Sequence, residues 1–335
     1  MPLFMKSKSR IKTGLGIAIS IVCLWLTFRQ VSLVELATVL KLTDWKFILL
    51  GVGSLAIGYL LRIWRWAILL RTDGSNIRTI SCAAPFLGSI TLNNVLPFRT
   101  GDFVRALIFP KAMGIARTEA TASLLLERLT DLLALLIGLG VGLFLNTAIQ
   151  LPVWLKTSVI YLSLCTGGGL VLLMLGGHKI HQWLFALQQY WNRHHYHRLA
   201  IIFSIGVNFT SKLIQMTRLH IVFPILIISM FVWLAEAGLF WFFMKSLHLS
   251  VSTFSLALFV MTIATLATLV PSSPGYIGSF HFAVAFAVTL FGIEPAQAAS
   301  LALLTHLGVW LPTTLAGGMA LLHQPSLFDG ITVRS

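Results

Sequence analysis

Three ionisable residues lie inside an apolar stretch of the chain, where a charge is costly. Glu127, Arg128 and Asp131 fall within the hydrophobic segment 121–143. An Asp or Arg at the centre of a membrane helix costs about 2.5–3.5 kcal/mol, so these side chains must face water or the protein interior. Helical spacing places Arg128 within salt-bridge reach of Asp131, and Glu127 on the same face as Asp131. Two roles stay open: an ion network that holds helices together, and a site that binds a charged headgroup or relays protons.

A second polar group surrounds a break in the helical pattern just before that segment. A proline there ends one helix, a glycine permits a tight turn, and an aspartate can cap the next helix. Free backbone N–H groups beside two arginines would suit a phosphate or another anionic headgroup. A plain cytoplasmic loop, whose arginines only fix the topology, is the alternative. The residues of this first break are Asn94, Pro97, Arg99, Gly101, Asp102 and Arg105.

A similar break recurs in the second half of the chain, without arginines. His281 follows it, and His306 lies in the last apolar stretch at the position that matches Arg128. Both histidines are candidates for headgroup binding, and hydrogen-bonded packing inside an apolar helix is the alternative. The helix-break residues of this second break are Pro271, Pro274, Gly275 and Gly278.

The elements that must position these residues are membrane helices. The chain has 335 residues, of which 57% are hydrophobic and 10% charged, whereas soluble domains are about 25% charged. A membrane-spanning helix needs about 20 apolar residues. The sequence therefore predicts an all-α polytopic bundle, a single transmembrane domain over residues 1–335. Six full spans are predicted near residues 13–28, 45–61, 121–143, 153–175, 221–244 and 301–322.

The apolar stretches 79–96 and 251–270 each lead into one of the two breaks and then into a short second apolar piece. We interpret each pair as a re-entrant hairpin made of a broken helix; eight simple spans are the alternative. Residues 114–120 align without gaps on residues 292–298, and Pro97 and Gly101 align on Pro274 and Gly278 with one insertion. This similarity predicts an internal repeat, with repeat A at about 45–143 and repeat B at about 221–322.

The charge distribution orients the two repeats. The formal net charge is +14, and the Lys and Arg residues cluster between the apolar stretches. Four basic residues surround the first break, whereas residues 271–297 contain neither Lys nor Arg. The positive-inside rule thus places the first break on the cytoplasmic side and the second on the outer side, which makes the repeats inverted and puts both termini in the cytoplasm.

Between the repeats lies a basic, His-rich connection at about 178–220, which we interpret as a helix in the cytoplasmic membrane interface. The basic residues are not accompanied by a nucleic-acid-recognition pattern, so we expect no nucleic-acid partner. Cys23, Cys82 and Cys165 are isolated in apolar segments and lack metal-ligand spacing. The sequence predicts neither a metal site nor a cofactor.

The motif Asn-x-x-Pro-x-Arg-x-Gly-acid-x-x-Arg, the following Glu-Arg-x-x-Asp and the later Pro-x-x-Pro-Gly-x-x-Gly resemble one family. It is the transmembrane domain of lysylphosphatidylglycerol synthases, also called the flippase-like family. The similarity extends from about residue 11 to residue 322. Tyr276 stands where the family often has a second glycine, and His281 where it has an acidic residue.

In two-part members of the family, this domain is associated with moving aminoacylated phosphatidylglycerol across the bilayer. The chain stops at Ser335, so we expect no aminoacyl transferase domain. The resemblance and the charged residues predict an inner-membrane protein that binds and translocates an anionic phospholipid or a polyprenyl-linked lipid. One alternative is a membrane-embedded glycosyl or acyl transferase. Its general base would be one of Asp102, Glu127, Asp131, His281 and His306. Another alternative is a non-catalytic partner of a cell-envelope biosynthesis enzyme. Because no nucleophile or nucleotide motif is present, transport is favoured over catalysis.

Overall fold

A computed structural model describes residues 17–29, 31–72, 76–145, 153–269 and 273–329. Within these ranges the regular structure is helical throughout, which confirms the all-α prediction. Pro271 and both chain termini lie outside the described residues.

The first half of the chain begins with a bent pair of helices and continues with a long helix, a pair of short helices around the first break, a single turn of helix and another long helix. The bounds are α1 (Ile17–Phe28), α2 (Leu33–Lys41), α3 (Trp45–Leu70), α4 (Thr79–Val95), α5 (Thr100–Leu107), α6 (Phe109–Met113) and α7 (Arg117–Leu145).

The second half contains two connecting helices and then repeats the order of a long helix, a short pair and a long helix. A 3-10 turn at Pro274–Tyr276 lies between the two short helices, and another at Pro325–Phe328 follows the last helix. The bounds are α8 (Val153–Arg193), α9 (His197–Met216), α10 (Leu219–Ser246), α11 (Phe254–Ala267), α12 (Ser279–Thr289) and α13 (Pro295–His323).

Five of the described helices are long and apolar enough to cross a membrane: α3, α8 from Ile160 onward, α9, α10 and α13. The bent pair of α1 and α2 would make a sixth. Helix α7 has 29 residues, enough for a span, but its charged residues set it apart from these five. The chain is therefore a multi-pass membrane protein by length and composition.

The connection between the repeats differs from the prediction of an interfacial helix that starts near residue 178. Helix α8 continues without a break through this region to Arg193, because apolar and helix-forming residues run on past the predicted end of the span. Helix α9 packs beside it, and His181 Nδ1 lies 3.0 Å from Thr210 Oγ1. Residues 178–216 thus form the distal part of a helical hairpin.

The short helices form two further hairpins, one at each break. Helix α5 packs directly on α4, and Gly101 lies so close to the carbonyl oxygen of Ser89 that a Cβ atom at position 101 would overlap it. Helix α12 packs on α11 in the same way. Since these helices have 17, 8, 14 and 11 residues, and a span needs about 20, the structure favours two re-entrant hairpins over eight full spans.

Equivalent long helices of the two halves run in opposite directions. At one end of the pair, the Asp44 N–H before α3 donates to the carbonyl of Ser246 at the end of α10. At the other end, Arg65 of α3 donates to Ser229 of α10. Gly114 and Gly292, which the sequence alignment pairs, both adopt left-handed backbone, with φ of 69° and 76°, before the last long helix of their half.

The predicted inverted repeat can be tested at two aligned, exposed positions, Ala116 before α7 and Glu294 before α13. In a variant without native cysteines, a membrane-impermeant thiol reagent applied to intact cells should label Glu294→Cys. It should label Ala116→Cys only after the membrane is permeabilised, because basic residues flank that end alone. Labelling of both from the same side would contradict the inverted arrangement.

Candidate functional site

The tips of the two hairpins meet in the interior of the bundle. Arg99, at the tip before α5, donates through Nη2 to Thr268 Oγ1 at 3.0 Å, and its guanidinium lies 5.7 Å from the centre of the Tyr276 ring. Behind the second tip, His306 Nε2 donates to the carbonyl of Gly275 at 2.8 Å. The two breaks that the sequence singled out therefore form one site.

The backbone at these tips adopts strained conformations. Phe98, Arg99 and Tyr276 have φ angles of 61°, 50° and 59°, in the left-handed region that residues with a Cβ rarely occupy. Each such residue costs of order 1–3 kcal/mol, and such strain concentrates at ligand-binding and switch regions. Tyr276, which stands where the family often has a glycine, thus occupies a strained position and faces Arg99.

Arg128 does not pair with Asp131, as its spacing along α7 suggested. Its Nη2 atom lies 2.8 Å from both carboxylate oxygens of Asp102 on α5. Asp102 also accepts a hydrogen bond from Asn93 Nδ2 at 3.0 Å. Asp102 is not the N-cap of α5, because Arg99 occupies that position. The tertiary contact prevails because α5 packs against α7 and presents a carboxylate to the arginine.

The two acids of α7 are held by arginines from other helices. Arg65 of α3 donates hydrogen bonds from both of its Nη atoms to the Asp131 carboxylate, and Nη2 lies 3.0 Å from Oδ2. Arg105 of α5 donates to Glu127 Oε1 at 2.9 Å. Both arginines are buried. The predicted internal ion network exists, but it joins three helices rather than closing within one.

Arg105 was predicted to bind a headgroup, and the structure places its side chain in the packed interior beside Glu127. Its guanidinium lies 5.1 Å from the centre of the Trp66 ring and 4.7 Å from that of Phe86, and only 2% of the residue is exposed. Its Nε and Nη1 atoms have no hydrogen-bond partner in the part of the chain that the structure describes. Arg105 therefore holds Glu127 from within the packed interior.

A cavity of about 170 Å³ lies between the hairpin tips and the long helices α3, α7, α10 and α13. Of the predicted residues, it is lined by Asn94, Arg99, Glu127, Arg128, Asp131, Gly275 and His306. Asp102 lies behind Arg128, and Pro97, Gly101, Pro274 and Gly278 shape the hairpins without lining the cavity.

His281 lies outside the cavity, behind His306. Its ring centre is 4.5 Å from that of His306, and its Nδ1 atom accepts the N–H of Gly278 at 3.4 Å. The alternative of a packing histidine fits His281 best, whereas His306 reaches the cavity wall.

The sequence analysis missed a further ion pair in the cavity wall. Arg62 Nη2 on α3 lies 2.6 Å from Glu236 Oε2 on α10, and both residues line the cavity. Glu236 is the sole charged residue of the apolar stretch 221–244, a signal that could have revealed it. Arg62 and Arg65 follow the span predicted near residues 45–61, in a position typical of basic residues between membrane segments. Eight mostly apolar residues, 63–70, nevertheless continue the helix past residue 62.

Comparison with known proteins agrees with this architecture. The family described as Lysylphosphatidylglycerol synthase TM region matches residues 14–317. The chain belongs to this family. It is also similar to a UPF0104 membrane protein of Methanothermobacter thermautotrophicus, at 24% identity over 313 residues that cover 87% of each chain. Membership in the lysylphosphatidylglycerol synthase TM family confirms the resemblance drawn from the sequence motifs.

The Arg65–Asp131 pair predicts a strong, non-additive effect on stability. Arg65→Met should lower the free energy of unfolding by about 3–5 kcal/mol, because it leaves Asp131 buried without its cation. The double variant Arg65→Met, Asp131→Leu should lose clearly less than Arg65→Met alone. Reversible unfolding in mixed micelles measures the wild type, the single variants Arg65→Met and Asp131→Leu, and the double variant. Simple addition of the two single effects in the double variant would contradict the pairing.

Proposed function

We propose that this protein binds the anionic headgroup of a membrane lipid in the central cavity and carries the lipid across the cytoplasmic membrane. The observation that carries the proposal is Arg99. It reaches the cavity at the point where the two hairpin tips meet, and among the described residues it has no carboxylate within ion-pair distance.

The other arginines around the cavity differ from Arg99 because each has an acidic partner. Among the described residues, Arg99 donates only to Thr268, a neutral residue, and stacks on Tyr276. A guanidinium presents several donors in a planar fork that matches phosphate oxygens, and such charge-assisted hydrogen bonds are about twice as strong as neutral ones. A headgroup phosphate is therefore a better partner for Arg99 than the threonine.

The size of the cavity suits a headgroup rather than a whole lipid. One water needs about 10–15 Å³ of such space, so about 170 Å³ holds a group of roughly ten heavy atoms. That is a phosphate with a small substituent. The acyl or prenyl chains would stay in the surrounding lipid, where the outer faces of the long helices expose apolar side chains such as Leu49, Leu60 and Phe231.

The arrangement of the hairpins supports transport between leaflets. Substrate sites of many secondary transporters lie near the bilayer midplane, at the interface of inverted repeats with broken helices. Here, the first hairpin would open toward the cytoplasm and the second toward the outer side, and their tips enclose the cavity. Separation of one tip at a time would expose Arg99 to one leaflet at a time.

The alternative of a membrane-embedded transferase needs a general base. Each described carboxylate near the cavity, however, is held by an arginine: Asp102, Glu127, Asp131 and Glu236. These carboxylates already accept hydrogen bonds from guanidinium groups, so the geometry favours binding over catalysis. His306 is the remaining candidate base in the cavity wall.

Arg99→Gln tests the proposal in liposomes that contain fluorescent phosphatidylglycerol, its aminoacylated form or a polyprenyl phosphate. The wild-type protein should exchange at least one of these lipids between leaflets, measured by quenching from outside. Arg99→Gln should reduce that rate at least about tenfold, equivalent to 1.4 kcal/mol, because the phosphate loses its cation.

Arg117→Gln is the matched control, since Arg117 is exposed at the start of α7 and the change removes the same charge. It should exchange lipid at the wild-type rate. Equal rates for Arg99→Gln and the wild type, or no exchange of any of the three lipids by the wild type, would refute the proposal.

A further inference from the structure

We infer that the cavity selects a headgroup with a single negative charge, a phosphodiester, over a phosphomonoester or a diphosphate, and that Glu236 sets this selectivity. This inference rests on the proposed function and names the class of lipid. It comes from the balance of charge around the cavity.

The described residues in and directly behind the cavity wall carry nine charges. Four arginine–carboxylate pairs cancel one another, and Arg99 adds one positive charge that forms no ion pair with any described carboxylate. The pairs are Arg62 with Glu236, Arg65 with Asp131, Arg105 with Glu127, and Arg128 with Asp102.

An uncompensated charge is costly inside a membrane protein, so the best ligand is the one that brings the sum to zero. A phosphodiester carries one negative charge and does so. A phosphomonoester carries about −1.5 to −2 at neutral pH, since its second pKa is about 6. It would leave excess negative charge beside Glu127, Asp131 and Glu236, all of which line the cavity.

Glu236 is the acid whose charge can be removed with the least damage to the site. Its Oε2 bonds Arg62, whose guanidinium is also held 4.9 Å from the centre of the Tyr59 ring and 4.7 Å from that of Trp233. In Glu236→Gln an amide oxygen replaces the carboxylate, so Arg62 keeps an acceptor and both ring contacts. The surplus then rises to two positive charges without a change of shape.

The test compares two lipids that differ by one methyl group, dioleoyl phosphatidylmethanol and dioleoyl phosphatidic acid. The first is a phosphodiester with one charge, and the second a phosphomonoester. Equilibrium titration of the purified protein in micelles at pH 8, where the monoester is fully ionised, gives the ratio of the two dissociation constants. We expect wild-type protein to bind phosphatidylmethanol at least about fivefold more tightly.

Glu236→Gln should shift this ratio at least about tenfold toward phosphatidic acid. Glu35→Gln is the matched control: it removes the same charge from the exposed start of α2, far from the cavity lining, and glutamine can keep the capping box with Ser32. It should leave the ratio at the wild-type value.

The possible outcomes distinguish a failure of the charge selectivity from a failure of lipid binding itself. Wild-type protein that binds both lipids equally, or phosphatidic acid more tightly, would overturn the selectivity while lipid binding stands. A wild-type preference that Glu236→Gln leaves unchanged would overturn the role of Glu236. Binding of neither lipid would overturn the proposed function itself. If the Gln variant does not fold, the wild-type ratio alone still decides on the charge selectivity.

Discussion

Arginine–carboxylate pairs that cross between helices are the constraint on which this bundle depends. Each partner alone would be an intolerable charge in an apolar interior, and each pair fixes the position of two helices at once. Arg65 and Asp131 join α3 to α7, and Arg62 and Glu236 join α3 to α10. With these contacts fixed, the short hairpins can enter the bundle and bring their strained tips together.

The hairpin tips differ from the long helices in their backbone. A regular membrane helix satisfies its own backbone hydrogen bonds, whereas a helix that is broken in the protein interior leaves backbone groups without helical partners. Phe98, Arg99 and Tyr276 hold left-handed backbone at this junction. The pairs that surround this junction neutralise one another, whereas Arg99 forms no ion pair among the described residues.

The helices and both breaks could be predicted from the sequence, because hydrophobic length, proline and glycine are local signals. The partners within the ion network could not, because they depend on packing between distant segments. Spacing along α7 predicted an ion pair of Arg128 with Asp131, but Arg128 pairs with Asp102 of helix α5 instead. Arg62 follows the predicted end of its span, as basic residues that only fix the topology do. The basic and histidine residues after residue 177 suggested the end of a membrane helix, but α8 continues through them to Arg193.

Contact between Arg99 and a lipid phosphate can be measured directly by solid-state NMR. The protein, with ¹⁵N-labelled arginine, is placed in bilayers of a phosphodiester lipid, and ³¹P–¹⁵N dipolar dephasing reports guanidinium nitrogens at contact distance from phosphorus. The account predicts a dephased signal that disappears in Arg99→Gln and persists in Arg117→Gln. A dephasing pattern that is identical in wild type and Arg99→Gln would contradict it.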